Sequence, residues 1–284
     1  MLRSLFAGIS GLRVNQTALD VTGNNIANAS TVGFKSSGFV FQDTLSQMLT
    51  AGSSASTASG GTNAVQIGLG VQLAATNGNF TQGSAQTTGR GTDLIIMGDG
   101  MFVTRKGTED LYTRAGSFNF DNTGTLVNPA GQRVQGYALD ATGNPTGGLI
   151  DVTLSTANAQ PAVPAGVSMT SYAFGPDGTL SGTFSDGQTR SLCRVAMANF
   201  VNPMGLERAS DTSFRATANS GTPTLGTAGI GGMGKMAAGE VEMSNVDLAA
   251  EFTNLIIAQR GFEASSKVIT TSDQILDDLV NIKR

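Results

Sequence analysis

The sequence predicts an α+β protein in which N- and C-terminal α-helices form a coiled-coil-like domain around a mainly antiparallel all-β middle domain. Three observations carry this. Both ends repeat apolar residues at alternating spacings of three and four. The middle is a series of short apolar runs cut by turn residues. Glycine is abundant, 38 in 284 residues, while only 13% of the chain is charged and 6% aromatic, which points to turn-rich β structure with a thin core.

At the N-terminus the apolar seam runs through Leu2, Leu5, Ile9, Leu12 and Leu19, with Gln16 in the missing place. At the other end it runs through Leu248, Phe252, Leu255, Phe262, Ile269, Leu276 and Val280, interrupted by Gln259, Ser266 and Asp273. Such a heptad seam is what paired helices bury. Helices from Leu2 to near Asn24 and from Asp247 to Ile282 would be roughly 35 and 50 Å long at about 1.5 Å per residue. Ser244 followed by Asp247 has the spacing of a capping box without its usual Glu or Gln. Asp247 and Glu251 put negative charge at a helix N-terminus, and Lys283 and Arg284 put positive charge at the opposite pole. Either seam alone reads as the buried face of an ordinary helix; two matched seams at opposite ends favour pairing. About a dozen seam residues do not offset the ordering of about 55 helical residues. The ends are therefore expected to fray in a monomer and to order when neighbours cover positions such as Phe6, Ile256 and Ile257.

Between the ends, Ala51 to Asn63 (AGSSASTASGGTN) has almost nothing to bury and reads as a flexible or extended connector. Strands are predicted at Asp93 to Met97, Met101 to Thr104, Leu111 to Thr113 and Ser117 to Phe120, punctuated by Gly98-Asp-Gly100, Gly116 and Asp121-Asn-Thr-Gly124. A second set is predicted at Ser171 to Phe174, Thr179 to Ser181, Arg190 to Met197 and Ser213 to Arg215, with turns at Pro176-Asp-Gly178 and Asp186-Gly187. Residues 141–167, rich in Gly, Pro, Ala and Thr, read as a linker or reduced insertion between two halves of one β domain.

Composition excludes several function classes. Lys+Arg 17 against Asp+Glu 21 gives a formal charge of -4 without a basic block, so neither nucleic acid nor anionic lipid is an expected partner. With no histidine, histidine-based acid/base chemistry, nucleophilic triads and histidine-ligated metals are out of reach. The single cysteine, Cys193, forms no intramolecular disulfide, and its flanks Leu192 and Val195 mark it as a buried hydrophobe in a strand. Gly98-Asp-Gly100 and Gly229-Ile-Gly-Gly-Met-Gly234 lack the helix and Gly-Lys-Ser/Thr of a phosphate loop, and the Asp-Gly pairs lack the alternating acidic ligands of a calcium loop. No enzyme activity, no cofactor and no metal are expected. The N-terminus lacks a continuous apolar h-region, and no stretch approaches the roughly 20 apolar residues of a membrane helix, so neither a cleaved signal nor membrane insertion is expected.

The run Gly23-Asn-Asn-Ile-Ala-Asn-Ala-Ser-Thr-Val-Gly-Phe-Lys35 resembles the N-terminal signature of the flagellar rod and hook axial proteins. Ser244-Asn-Val-Asp-Leu-Ala-Ala-Glu-Phe252, continuing through Ala258-Gln-Arg260, Phe262, Lys267 and Asp273-Gln274, is similar to the family's other end. Phe80-Thr-Gln-Gly83, Thr88-Gly89, Asp93-Leu94, Gly98 to Phe102, Tyr112-Thr-Arg-Ala-Gly116 and Ala198-Asn-Phe200 resemble its internal landmarks. The resemblance is to a short hook form lacking a large outer domain. It implies an inner helical domain (1–32 plus 240–284), an extended linking region (33–76), a β-rich outer domain (77–140 plus 168–239) and the short 141–167 stretch. It also implies a helical homopolymer outside the cell membrane, exported by the flagellar apparatus without signal cleavage. Its expected partners are further copies of itself, the rod, the hook cap and the hook–filament junction. On the resemblance, Asn24, Asn25, Asn28, Thr31, Gly33, Phe34, Lys35, Ser244, Asn245, Asp247, Gln259 and Arg260 are the assembly signature. Two alternatives stay open: a distal rod subunit with the same ends but a straight polymer, and a secreted β-rich adhesin with an oligomerising coiled coil.

Overall fold

Two long helices bracket the chain: α1 spans Leu2–Ala27 and α2 spans Leu248–Ile282. The computed structural model describes residues 2–54, 60–140, 142–156, 159–164 and 166–282; Lys283, Arg284 and the side chains of Leu2 and Ile282 fall outside them. The N-terminal cap of α2 differs from the sequence expectation. Asp247, not Ser244, is the cap: its Oδ1 accepts hydrogen bonds from the backbone N–H groups of Ala249 (2.9 Å) and Ala250 (3.3 Å), which otherwise have no intrahelical partner. A carboxylate one residue ahead of the helix satisfies those donors directly, so no capping box forms.

The helices share one unit with residues 37–79. They run antiparallel, as the paired positions show: Ser4 Oγ lies 3.3 Å from Ser272 Oγ, and Asn25 Nδ2 donates to Glu251 Oε1 at 2.9 Å. Small residues make the contact. A Cβ on Gly8 would stand 3.0 Å from Ile269, one on Gly11 2.9 Å from Ser265 Oγ, and one on Gly261 2.6 Å from Asn15 Oδ1. Side-chain size at the crossing sets how near two helices come, so these glycines and serines bring the backbones together. Ala18, Thr22 and Asn25 of α1 and Ala258 and Ser272 of α2 complete the buried side. The contact thus lies beside the expected apolar seam. Leu5, Leu12, Leu19, Leu255, Ile269 and Leu276 are half-buried at its margins, while Ile9, Leu248, Phe252 and Phe262 are exposed.

In the same unit β1 (Ser37–Asp43), β2 (Ser46–Thr50), β3 (Val65–Gly68) and β4 (Val71–Gly78) make two antiparallel ribbons, β1 with β4 and β2 with β3. Ser10 Oγ of α1 accepts the N–H of Val71 at 3.3 Å, which fixes the start of β4 against the helix. Within the connector expected at 51–63, Ser53 and Thr62 bridge and extend the β2–β3 ribbon; residues 55–59 lie outside the described ones.

Residues 28–36 and 80–245 form the second unit. It contains β5 (Ala85–Thr87), β6 (Leu94–Met97), β7 (Met101–Lys106), β8 (Glu109–Thr113), β9 (Asn119–Phe120), β10 (Leu126–Val127), β11 (Arg133–Leu139) and β12 (Pro145–Asp151). These are followed by β13 (Met169–Phe174), β14 (Thr179–Phe184), β15 (Thr189–Val195), β16 (Met197–Asn199), β17 (Glu207–Arg208), β18 (Ser213–Arg215), β19 (Thr224–Gly226), β20 (Lys235–Ala238) and β21 (Glu240–Glu242). The main antiparallel sheet runs β13-β14-β15-β11-β7-β8-β18-β17. Central strands serve two cores because successive side chains point to opposite faces. Phe102, Val195 and Met197 enter a cluster with Leu94, Phe118 and Leu192; Met101, Val103, Ala196 and Ala198 enter another with Tyr112, Phe200 and Phe214. Residues 141–167, expected to be a linker or insertion, carry β12, which pairs with β11. Asp121 shows how the turns close: its Oδ1 accepts from Thr123 N (2.9 Å), Thr123 Oγ1 (2.7 Å) and Thr125 N (2.8 Å).

Two outcomes test this architecture. A leucine at position 261 cannot fit against Asn15, so Gly261→Leu lowers the melting temperature of the helical signal in far-UV circular dichroism, by an overpacking cost of about 1–3 kcal/mol. Gly23→Ala, at a position where a Cβ meets nothing within 4 Å, leaves that temperature unchanged or raised. Equal loss in both variants contradicts the small-residue contact. Burial pushes the Cys193 thiol up to about 12. A thiol reagent at pH 8 therefore labels it only once denaturant unfolds the chain; rapid labelling of the native protein contradicts its placement in the core.

Candidate assembly interface

Helix α2 has more apolar surface than α1 covers. At about 100° per residue, Leu248, Phe252 and Phe262 lie along one flank of the side that meets α1, and Ile257, Val268, Ile275 and Leu279 lie along the other. All seven are exposed, Ile257 to 64%. Isolated exposed apolar residues are ordinary, but contiguous stripes mark contact surfaces.

The same unit offers a third apolar surface. The outer side of α1 and the start of β4 enclose an open groove of about 610 Å³, lined by Phe6, Ile9, Val14, Leu69 and Leu73 with Arg3 and Arg13 at its edges. Met48, Leu49, Val65 and Ile67 of the β2–β3 ribbon are exposed as well. A two-stranded ribbon is marginally stable in water, so one that displays this many apolar side chains gains from being covered.

The signature residues divide between the units. Asn25 belongs to the helical one, where its amide is fully used: Oδ1 accepts the N–H of Ser37 (3.0 Å), and Nδ2 donates to the Ser37 carbonyl (2.8 Å) as well as to Glu251. This closes the chain reversal after α1 and ties it to α2. Asn24 is exposed, as are Gln259 and Arg260; Arg260 pairs with Glu263 at 2.9 Å. Ser244 is half-buried.

The rest of the signature packs inside the β unit. Asn28 accepts a hydrogen bond from Thr31 Oγ1 at 3.1 Å. Gly33 has φ 69° and donates its N–H to the Glu242 carbonyl at 2.7 Å. A Cβ there would lie 2.3 Å from Ala115 N, so both conformation and space demand glycine. Phe34 is buried, with the Arg208 guanidinium 4.8 Å above its ring, and Arg208 also donates to the Lys35 carbonyl. Lys35 and Glu242 form a fully buried ion pair at 2.5 Å, joined by Arg114 at 3.3 Å from the other carboxylate oxygen. Burial pushes the Lys35 pKa down, and the hydrogen bond and charge of Glu242 oppose it. Asn245 Oδ1 accepts the N–H of Ser36 at 2.8 Å.

Sequence reasoning did not single out Glu242 or Arg208, and it read Glu251 as a helix N-terminal charge within the run Ser244 to Phe252. Arg114 stood within the internal landmark Tyr112 to Gly116, so a signal existed for it. For Glu242 the available signal was its place two residues ahead of Ser244; nothing in the sequence links it to Lys35. Among the described residues no group of His, Cys, Asp or Glu could hold a metal ion, and no helix is long and apolar enough to cross a membrane.

Three family profiles match the chain: a flagella basal body rod protein over residues 5–35, the D1 domain of the flagellar hook protein FlgE/F/G over 95–182, and the C-terminal part of the flagellar basal body rod FlgEFG proteins over 237–282. The flagellar basal-body rod protein FlgG of Bacillus subtilis is 44% identical over 285 residues, covering 100% of both chains. The flagellar basal-body rod protein FlgG of Borreliella burgdorferi is 32% identical over 294 residues, again covering 100% of both. The flagellar hook protein FlgE of the same organism is 30% identical in an alignment of 441 positions that covers 100% of both, so the hook relative is the longer chain. With both terminal signatures matched and relatives aligned from end to end, the chain belongs to the structural rod and hook axial proteins of the bacterial flagellum.

Proposed function

We propose that this chain polymerises into the tubular flagellar hook, a flexible joint that transmits torque between rod and filament. The observation that carries the reading is the pair of uncovered apolar stripes on α2, one on each flank of the side that meets α1. A helix with a partner on one side and apolar surface on two others needs neighbours on both. Two different surfaces meeting in successive copies make a heterologous contact, which builds an open helical array when it does not close. In this reading α1 and α2 act as a coiled-coil-like inner domain (1–32 plus 240–284) around a channel. Their half-buried seam residues are completed by adjacent copies. The segment 33–76 links subunits, and the β-rich domain (77–140 plus 168–239) forms the outer layer, with 141–167 in place of a large outer insertion.

The subunit passes the flagellar export apparatus without signal cleavage and works outside the cell membrane, between the rod, the hook cap and the hook–filament junction. Asn24, Gln259 and Arg260, which lie exposed on the helices, are the signature residues available to neighbours. A second reading, a distal rod subunit forming a straight drive shaft, is favoured by the end-to-end match to rod relatives of the same length.

The test is negative-stain electron microscopy of the purified full chain concentrated under polymerising salt, beside the double variant Ile257→Asp/Ile275→Asp. Hollow tubes from the wild type and none from the variant are expected, because charges on one stripe would have to be desolvated in every contact. Curved tubes identify the hook and straight ones the rod. Closed oligomers of fixed size from the wild type would overturn the polymer.

A further inference from the structure

The chain passes between its two units four times: after Ala27, after Ser36, after Asn79 and after Asn245. Each passage is followed or preceded, within the β unit, by residues of one hydrogen-bonded cluster. Glu242 Oε1 accepts Lys35 Nζ (2.5 Å) and the Gly83 N–H (2.8 Å), Oε2 accepts Arg114 (3.3 Å), and the Glu242 carbonyl accepts the Gly33 N–H (2.7 Å). Lys35 Nζ also donates to the Thr81 carbonyl at 2.7 Å. Asn245 joins the same carbonyl at 3.2 Å and the Thr81 hydroxyl at 3.0 Å. Three segments distant in sequence, 33–36, 81–83 and 242–245, therefore meet on one carboxylate and one amide.

The secondary structure at this place is slight. Strands β5 and β21 have three residues each and pair only with one another, and a ribbon of that size does not hold by itself. The charges are what the ribbon lacks. A buried ion pair adds little stability over an apolar replacement, but it is strongly directional and costly to leave half-made.

We propose that Lys35, Glu242 and Arg114 form a buried ionic latch that ties together the places where the chain enters and leaves the β unit, so that these segments open as one piece. The latch follows from geometry inside the β unit and does not rest on the polymer reading. Its consequence for any polymer is that force arriving along any of the four passages meets the same cluster and does not peel one short strand at a time.

Native-state hydrogen exchange on the full-length chain tests it. In the wild type under increasing denaturant, the amides of Gly33, Ser36 and Gly83 should share one opening free energy. Glu242→Gln, which strands two buried cations, should speed all three together by on the order of a hundredfold, and Lys35→Met, which leaves Arg114 and Glu242 paired, should speed them less. The amides of β7 should keep wild-type rates in both. Arg133→Gln, which breaks the exposed pair with Asp151, should move none of them. Separate opening energies in the wild type overturn the latch, and this measurement stands even where a variant does not fold. Acceleration confined to the substituted segment, or spread equally through β7, overturns it as well.

Discussion

A carboxylate withdrawn from water costs several kcal/mol unless cations and N–H groups replace the solvent around it. Glu242 is fully buried, and its surroundings follow from that requirement: an ammonium, a guanidinium and a backbone amide converge on two oxygens. Each donor imposes a further condition. Lys35 reaches the carboxylate only if residues 33–36 run close to Ala115, which requires a glycine with positive φ at position 33. Arg114 also donates to the carbonyls of Ile96 and Gly98, fixing the turn from β6 into β7. Gly33 and Lys35 of the signature are thereby explained as parts of the shell of one charge.

The helical unit obeys a different constraint. Within the chain, α1 and α2 meet through Gly, Ser, Ala, Asn and Thr, with Ile269 against Gly8, which permits close approach while burying little apolar area. The larger hydrophobes remain on the flanks and in the α1 groove. Burial of apolar surface is the dominant favourable term in association, so the proposed polymer would bury between copies what most folded proteins bury internally. The β unit, with two buried clusters sharing its central strands, is built the opposite way. The β unit is stabilised from within, and in the proposed polymer the helical unit gains by assembly.

This division explains which parts of the fold were legible. Strands such as β7, β8 and β15 stood out because their apolar runs match their own burial, and both helices stood out by their apolar alternation. Strand β12 (Pro145–Asp151) did not: Pro, Thr and two glycines spell a turn, and pairing with β11 decides otherwise. The ribbon β1–β4 was hidden in the same way, since its partners lie on opposite sides of a low-complexity tract. The heptad alternation located the helices correctly but not their contact. Periodicity records which residues are apolar, and the small residues that let these backbones approach give no such signal.

By itself the sequence determined the two terminal helices, the β-rich middle, the buried state of Cys193 and a resemblance carried by both ends. Those are properties of local patterning, where each residue's chemistry speaks for itself. Only the tertiary structure decided that Asp247 caps α2, that the helices meet along their small residues, and that Lys35 finds Glu242 207 positions away. A carboxylate in a sequence is one of many until folding withdraws it from water, and its partners are then chosen by the space around it.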